Sequence, residues 1–288
     1  MFPGFNTNGL AHHTLRDSIF LLAEIGYAGI AVTLDHDLLE RCGTEFFWRT
    51  EPKQIRGWIE EAGLRESVVE TGARFLLDPR RKHSPNLLDP DPEKRRLRRA
   101  YYFRAVELAE TLGSPCISLW SGAADPAENA STETLFSRLG EELRILTDHA
   151  GERNVRIAFE PEPGMFVETV RQFEELLEFA PSELCLTLDV GHLFCQFEPI
   201  ADSIFRHSER LVNLHFEDSV RGRHVHLFPG EGEMDFTELF DALRAVSYAH
   251  GVYFELSRSS PTGPETAEKA FAFWQNAVHS PQLPGAIP

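Results

Sequence analysis

"IAFEPEPGMF", residues 157–166, is the stretch on which the reading of this chain turns. Ile157, Ala158 and Phe159 continue an apolar run begun at Val155 and read as a buried strand. Pro161 and Pro163 stop the run, because proline lacks the N–H that a central strand must donate. Glu160 stands at the exit, where a buried strand needs no carboxylate. What it faces depends on what surrounds that strand.

Working outward, the same pattern recurs. Strand-like runs stand at 1–7, 28–35, 66–72, 115–122, 183–192, 211–218 and 251–257. Amphipathic helical stretches separate them. The first opens at Thr14 and Asp17, spaced as a capping box, carries Leu15, Ile19, Leu22 and Ala23 at helical spacing, and stops at Gly26. Others are expected near 51–62, 92–112, 132–150, 167–179, 196–207, 235–247 and 262–277. Long polar loops are expected at 72–91 and at 219–234, the latter rich in Gly, Arg and His. The result is eight β-then-α units with no break in composition. Parallel neighbours need a crossover, and here each crossover is a helix. Eight units in 288 residues predict an α/β fold, a (β/α)8 TIM barrel in a single domain over 1–278, with an irregular tail at 279–288. An open dinucleotide-binding sheet would want a Gly-rich turn after strand one, and "GFNTNG" is not GxGxxG.

Composition agrees with a folded chain. Hydrophobic residues make up 42% and charged residues 25%. No apolar run reaches the length of a membrane span, and "MFPGFNTNG" lacks a signal-peptide pattern. Cys42, Cys116, Cys185 and Cys195 form no CxxC pair and are expected to be reduced, in a cytoplasmic protein. The net charge of −17 repels a phosphate backbone, so no nucleic-acid partner is expected, nor a membrane. The basic cluster Arg80, Arg81, Lys82, His83, Lys94, Arg95, Arg96, Arg98 and Arg99 reads as a solvated loop and helix face.

In a barrel of this kind the functional face lies at the C-terminal ends of the strands. Strand five ends in Glu160, strand six in Asp189, strand seven in His215 and strand eight in Glu255. Neighbouring strands lie about 4.8 Å apart, so their exit side chains reach one ion. Three like charges buried together without a cation would cost several kcal/mol or force protonation. One divalent metal removes that objection. Oxygen donors favour Mg or Mn, and an imidazole brings Co and Zn within range.

The stretches "IAFEP", "LTLDVGH", "LVNLHFED … FPGEGEMDF" and "YFEL" resemble the xylose-isomerase-like TIM-barrel family of sugar phosphate isomerases and epimerases, which includes ketose 3-epimerases and inosose isomerases. The resemblance covers nearly the whole chain, is strongest over 155–257, and is most specific at "PGEGEMDF". It implies that Glu160, Asp189, His215 and Glu255 form the family's metal quartet, with manganese favoured. It also implies that Glu160 and Glu255 act as the acid–base pair, one carboxylate removing a proton beside a ketone and the other returning it from the opposite face of an enediolate. A substrate-contacting histidine is expected at His192. A further arginine or histidine contact is expected in the strand-seven loop, where Arg221, Arg223, His224 and His226 crowd together; His226 is favoured by its spacing from Pro229. Glu162 either supports the site or caps its own loop.

Two positions stand apart from the quartet. Arg74 has the fork geometry to hold a substrate carboxylate or phosphate, or else pairs with Asp78 or Glu70. Trp120 ends strand four as an apolar platform under a sugar ring or as a core edge. The expected activity is a metal-dependent sugar or polyol isomerase or epimerase on a small-molecule substrate. A lyase on a keto-inositol or dehydroshikimate-type substrate uses the same site. An endonuclease IV-like nuclease would want about three metals and a basic groove. A non-catalytic binding protein is the remaining reading. Barrels of this size often associate, so a homo-oligomer is also open.

Overall fold

A computed structural model describes the chain over residues 1–278. The tail expected at 279–288 lies outside the described residues. Strand β1 (Phe2–Asn6) leads through a 3-10 turn into helix α1 (Leu15–Ile25). Strand β2 (Gly29–Thr33) precedes a short antiparallel hairpin, β3 (Leu39–Cys42) and β4 (Glu45–Trp48), and then α2 (Pro52–Ala62). Next come β5 (Glu66–Glu70), α3 (Pro92–Leu112), β6 (Cys116–Leu119), α4 (Thr132–Gly151), β7 (Arg156–Phe159) and α5 (Val170–Leu177). Strand β8 (Cys185–Asp189) runs straight into α6 (Val190–Cys195), with α7 (Ile200–His207) behind it. Strand β9 (Leu211–Phe216) feeds a second hairpin, β10 (Asp218–Val220) and β11 (Arg223–Leu227). Helix α8 (Thr237–Ala245), β12 (Gly251–Phe254) and α9 (Gly263–Val278) complete the described chain.

Strands β1, β2, β5, β6, β7, β8, β9 and β12 close into one parallel barrel, β1 pairing with both β2 and β12. This is the predicted (β/α)8 fold, and each of its eight strands falls inside a predicted run. Among the described residues no helix is long and apolar enough to cross a membrane.

Five local expectations change. The β3–β4 hairpin lies between the strand predicted at 28–35 and the helix predicted near 51–62, where the sequence predicts no element. The strand expected to reach His192 ends at Asp189, whose Oδ1 accepts the amides of Gly191 (2.7 Å) and His192 (3.0 Å) and so caps α6. Val190–Cys195 is therefore helix α6, the helix expected near 196–207 begins only at Ile200, as α7, and part of the 219–234 loop is the β10–β11 hairpin. Finally, the basic cluster is not all solvated. Arg98 is fully buried over the rings of Tyr101, Tyr102 and Trp120, while Arg95 and Arg99 pair with Glu142.

Strand side chains alternate, so every second residue points into the barrel. Ala31, Val68, Cys116, Ala158, Cys185, Val212 and Tyr253 form the inner cluster. Its small side chains leave room for the Tyr253 ring, which plugs the floor. A Cβ on Gly4 would lie 2.3 Å from that ring and one on Gly251 2.5 Å, so both positions need glycine. The tyrosine hydroxyl donates to Glu66 Oε1 at 3.0 Å. Truncating a buried aromatic of this kind to alanine costs about 3–5 kcal/mol. Above this floor the inward positions change character: Val68 gives way to Glu70, Ala158 to Glu160, Cys185 to Thr187 and Asp189, Tyr253 to Glu255. The helices bury the outer strand faces, Ile19 and Leu22 of α1 and Ile55 and Ile59 of α2 among them.

Candidate metal centre

The four predicted ligands meet. Glu160 follows β7, its amide held by the Leu119 carbonyl at 2.8 Å. Asp189 ends β8 and sits in register with His215 on β9, which in turn pairs with Tyr253 of β12. Glu255 follows β12, its amide on the Phe216 carbonyl at 3.1 Å. One ligand atom from each of the four lies within 4.8 Å of all the others. His215 Nδ1 is 3.0 Å from Glu160 Oε1, 2.8 Å from Glu255 Oε2 and 4.0 Å from Asp189 Oδ2. Asp189 Oδ2 is buried and has no hydrogen-bond partner.

Crowding these charges in a dry site moves their pKa values. Burial, reinforced by the charges of Glu255 and Asp189 and opposed by His215, pushes Glu160 up to about 8. Burial also raises Asp189, with Glu255 adding to the effect. For His215, burial is outweighed by Glu70, Glu160 and Glu255, and its pKa lies well above the ordinary value. At Glu255 burial is outweighed by the charge and hydrogen bond of His215, and the carboxyl is held below the usual range. The donor set fits a divalent cation: three carboxylates, one imidazole, and an orphaned aspartate oxygen aimed into the cluster.

Outer partners hold the ligands. His215 Nε2 lies 2.9 Å from Glu70 Oε1, and Asn213 Nδ2 donates to the same oxygen at 2.9 Å. Asn8 Nδ2 donates to Glu255 Oε1 at 3.0 Å. A ligating histidine is commonly oriented this way, by a carboxylate on its far nitrogen. Glu70 and Asn213 were not foreseen in these roles. The signal was available for Glu70: it exits β5 in the same inward register as the quartet.

A cavity of about 590 Å³ opens above the quartet. Its wall takes in Glu160, His215, Glu255, His192, His226, Arg74 and Trp120, while Asp189 lies buried behind it. The eight predicted site residues therefore gather in one place. Arg74 pairs at 3.5 Å with Asp35, not with Asp78 or Glu70; Asp78 is taken by Arg81 at 3.1 Å. Trp120 meets the His83 ring edge-on at 5.2 Å between centroids. Burial lowers His192 and His226 to about 4, so both are neutral at neutral pH. Glu162 also lines the cavity, and its amide closes the loop onto the Val167 carbonyl at 3.1 Å.

The "FPGEGEMDF" stretch has a physical basis. The buried Asp218 carboxylate accepts amides from Ser219 (2.8 Å), Gly230 (2.8 Å), Gly232 (2.9 Å) and Met234 (3.1 Å). The loop wraps around one anion, as backbone amides do in an anion nest. A Cβ on Gly232 would sit 2.3 Å from Asp218 Oδ1, and one on Gly191 2.2 Å from Glu217 Oε1. These close approaches fix the β10–β11 hairpin, and with it His224 and His226, over the site.

Comparison with known proteins bears on this arrangement. The chain is 26% identical over 269 residues to a 3-dehydroshikimate dehydratase of Pseudomonas putida, covering 88% of this chain and 38% of that protein's length. It is 27% identical over 203 residues to a D-psicose 3-epimerase of Enterocloster bolteae, covering 67% of this chain and 64% of the other. The fold matches a crystal structure of D-psicose 3-epimerase in the presence of D-fructose, with a TM-score of 0.74 at 18% identity over 96% of this chain and 99% of that one. Residues 19–277 match the family model of the xylose isomerase-like TIM barrel, and the chain belongs to that family.

Proposed function

We propose that this chain is a divalent-metal-dependent isomerase or epimerase acting on a small sugar, sugar phosphate or polyol ketone. One observation carries the reading: Glu160, Asp189, His215 and Glu255 converge at the base of a cavity, with Asp189 Oδ2 left unpartnered. Manganese suits an oxygen-rich set with one imidazole. When bound, such a cation supplies Lewis-acid polarisation of a ketone and its neighbouring hydroxyl. The chain's own residues do the rest. Glu160 and Glu255 both face the cavity. One takes the proton from the carbon beside the ketone, and the other returns a proton to the opposite face of the enediolate. His192 and His226 present neutral imidazoles to the substrate hydroxyls. Trp120 offers an apolar wall, and Arg74 a donor fork for a polar end. The cavity volume lies within the range for small-molecule sites.

A second reading has its own support. The relative matched over 88% of this chain is a dehydratase. The same carboxylate pair would then remove the proton and protonate a departing hydroxyl. The net charge of −17 speaks against a nucleic-acid substrate for either chemistry.

Incubating Mn-loaded protein in D2O with a panel of ketoses, their phosphates and keto-acids separates the two readings. Deuterium entering recovered ketose supports the isomerase or epimerase. Loss of water supports the lyase. A folded, Mn-loaded protein that does neither across the panel sinks both and leaves a binding role.

A further inference from the structure

Resting on the isomerase or epimerase reading, we infer that the substrate is a hydroxylated keto acid, its ketone over the quartet and its carboxylate held by Arg74 and Lys82 of the loop after β5. Both side chains line the cavity above the quartet. In the closed ring of eight strands β5 lies opposite β9, so this loop stands across the rim from His215. Lys82 is exposed and, among the described residues, makes no hydrogen bond or ion pair. The Arg74 guanidinium has one partner there, Asp35, at 3.5 Å. Elsewhere arginines are spent on carboxylates: Arg95 and Arg99 on Glu142, Arg138 on Glu128, Arg206 on Asp202 and Glu174. With 45 acidic residues for 28 basic ones, a cation left unpaired beside a cavity is an exception that a bound anion would explain.

The loop that carries these cations is held in shape. Ala73 and His83 both sit in left-handed backbone, with φ 48° and 60°. Residues with a side chain rarely adopt that conformation, and it clusters at ligand clamps. The His83 amide donates to the Arg74 carbonyl at 2.7 Å, and His83 Nδ1 lies 2.9 Å from the Gly72 carbonyl. A carbonyl only accepts, so Nδ1 carries the proton and Nε2 is left as an acceptor. Burial, with the charges of Lys82 and Arg98, lowers His83 to about 4, so the ring adds no charge of its own. His83 lines the same cavity. The loop therefore offers two cationic donors and one neutral acceptor, a match for a carboxylate with a hydroxyl on the next carbon.

A carboxylate fits this wall better than a phosphate. Phosphates are commonly gripped by several backbone amides. In this loop the amides of Ala73, Leu76, Arg80, Arg81 and His83 bond to protein oxygens instead. Arg74 shares its charge with Asp35, and the Glu162 carboxyl lines the same cavity, so the charge left over suits one negative charge and not two. The Arg74 Nε faces Asp35, which leaves the planar end of the fork for two parallel bonds to a carboxylate. Arg258 also lines the cavity, but after β12, where it donates to the His224 carbonyl at 3.4 Å.

Ligands matched in their carbon skeleton test the inference. The Mn-loaded full chain is titrated by calorimetry with D-fructose and D-tagatose, with the corresponding C6 carboxylates D-fructuronate and D-tagaturonate, and with the two 6-phosphates. At least one uronate should bind about tenfold or more tighter than its parent ketose, and tighter than the matching phosphate. Raising the salt to about 0.5 M should shrink that advantage. Arg74→Ala and Lys82→Ala should each cost the uronate more than the ketose, by up to about fivefold, and together abolish the difference. Arg74→Lys, which keeps the charge and loses the fork, should recover part of it. A merely structural role would weaken all the ligands alike. A wild type that binds the ketose as tightly as its uronate, or the phosphate tighter than either, overturns the carboxylate site and leaves the isomerase reading standing. Binding of none of the six to folded, Mn-loaded protein overturns both. Should the double variant fail to fold by circular dichroism, the wild-type preference alone decides.

Discussion

The two sides of the barrel rim carry opposite chemistry. The exits of strands β7, β8, β9 and β12 carry Glu160, Asp189, His215 and Glu255, of which the first three are buried. On the β5–β6 side the cavity wall carries Arg74, Lys82, His83 and Trp120, with Lys82 exposed and Arg74 37% exposed at its side chain. One side is acidic, dry and cross-braced. The other is basic or aromatic and reaches solvent. Burial explains the difference in expected consequence. A charge withdrawn from water is felt by every neighbour, whereas an exposed one is screened. The first side should therefore govern metal retention, and the second only substrate affinity.

The harshest test of that division is His215→Ala. Removing a direct donor should weaken Mn binding by more than about 100-fold, above the range for outer partners. Calorimetry showing wild-type affinity would end the comparison. Glu70→Gln sharpens it. Glu70 belongs by position to the β5 side but by contact to His215, so its loss should weaken Mn about 10–100-fold. Unchanged Mn affinity there would mean that position, and not contact, sorts the rim.

A pH series gives a smaller effect. The Glu160 carboxyl is raised from 4.5 to about 8 in the folded, metal-free site, so its protonated form favours folding. That contribution is fully present below about pH 4.5 and is lost as pH rises through 8. A cation takes the proton's place, so Mn should raise Tm more at pH 8 than at pH 6. Each kcal/mol corresponds to about 2–4 °C. An equal Mn gain at both pH values counts against the quartet as the binding site. Smallest of all, Arg74→Ala should raise KM about fivefold or less and leave Mn content unchanged, because its half-exposed pair with Asp35 is worth under about 1 kcal/mol. Loss of Mn in that variant would erase the distinction between the sides.

Much of this was legible in the sequence because barrel strands and exit residues obey local rules. Apolar runs mark β1, β2, β5, β6, β7, β8, β9 and β12 whatever lies around them, and the residue that ends each run is forced to the rim. The Asp189 cap was written locally too, in an aspartate followed by Val190, Gly191 and His192, but a strand reading carried past it to His192. What escaped depends on partners far along the chain. Glu70 becomes a support of His215 through a contact spanning 145 positions, and Arg98 is buried by aromatic rings that its charge gave no reason to expect. The hairpins β3–β4 and β10–β11 escaped as well. The second is tied down by Asp218, a residue before its first turn that gathers amides from as far away as Met234.

The tyrosine at the floor of the barrel has a kinetic consequence. Tyr253, wedged against Gly4 and Gly251, fills the base of the barrel, and the cavity lies at the opposite end, among the residues that leave the strands. Whatever sits deepest must arrive first and leave last. A sugar lodged above the quartet would act as a stopper, so a chelator should strip metal from the resting protein faster than from protein saturated with substrate.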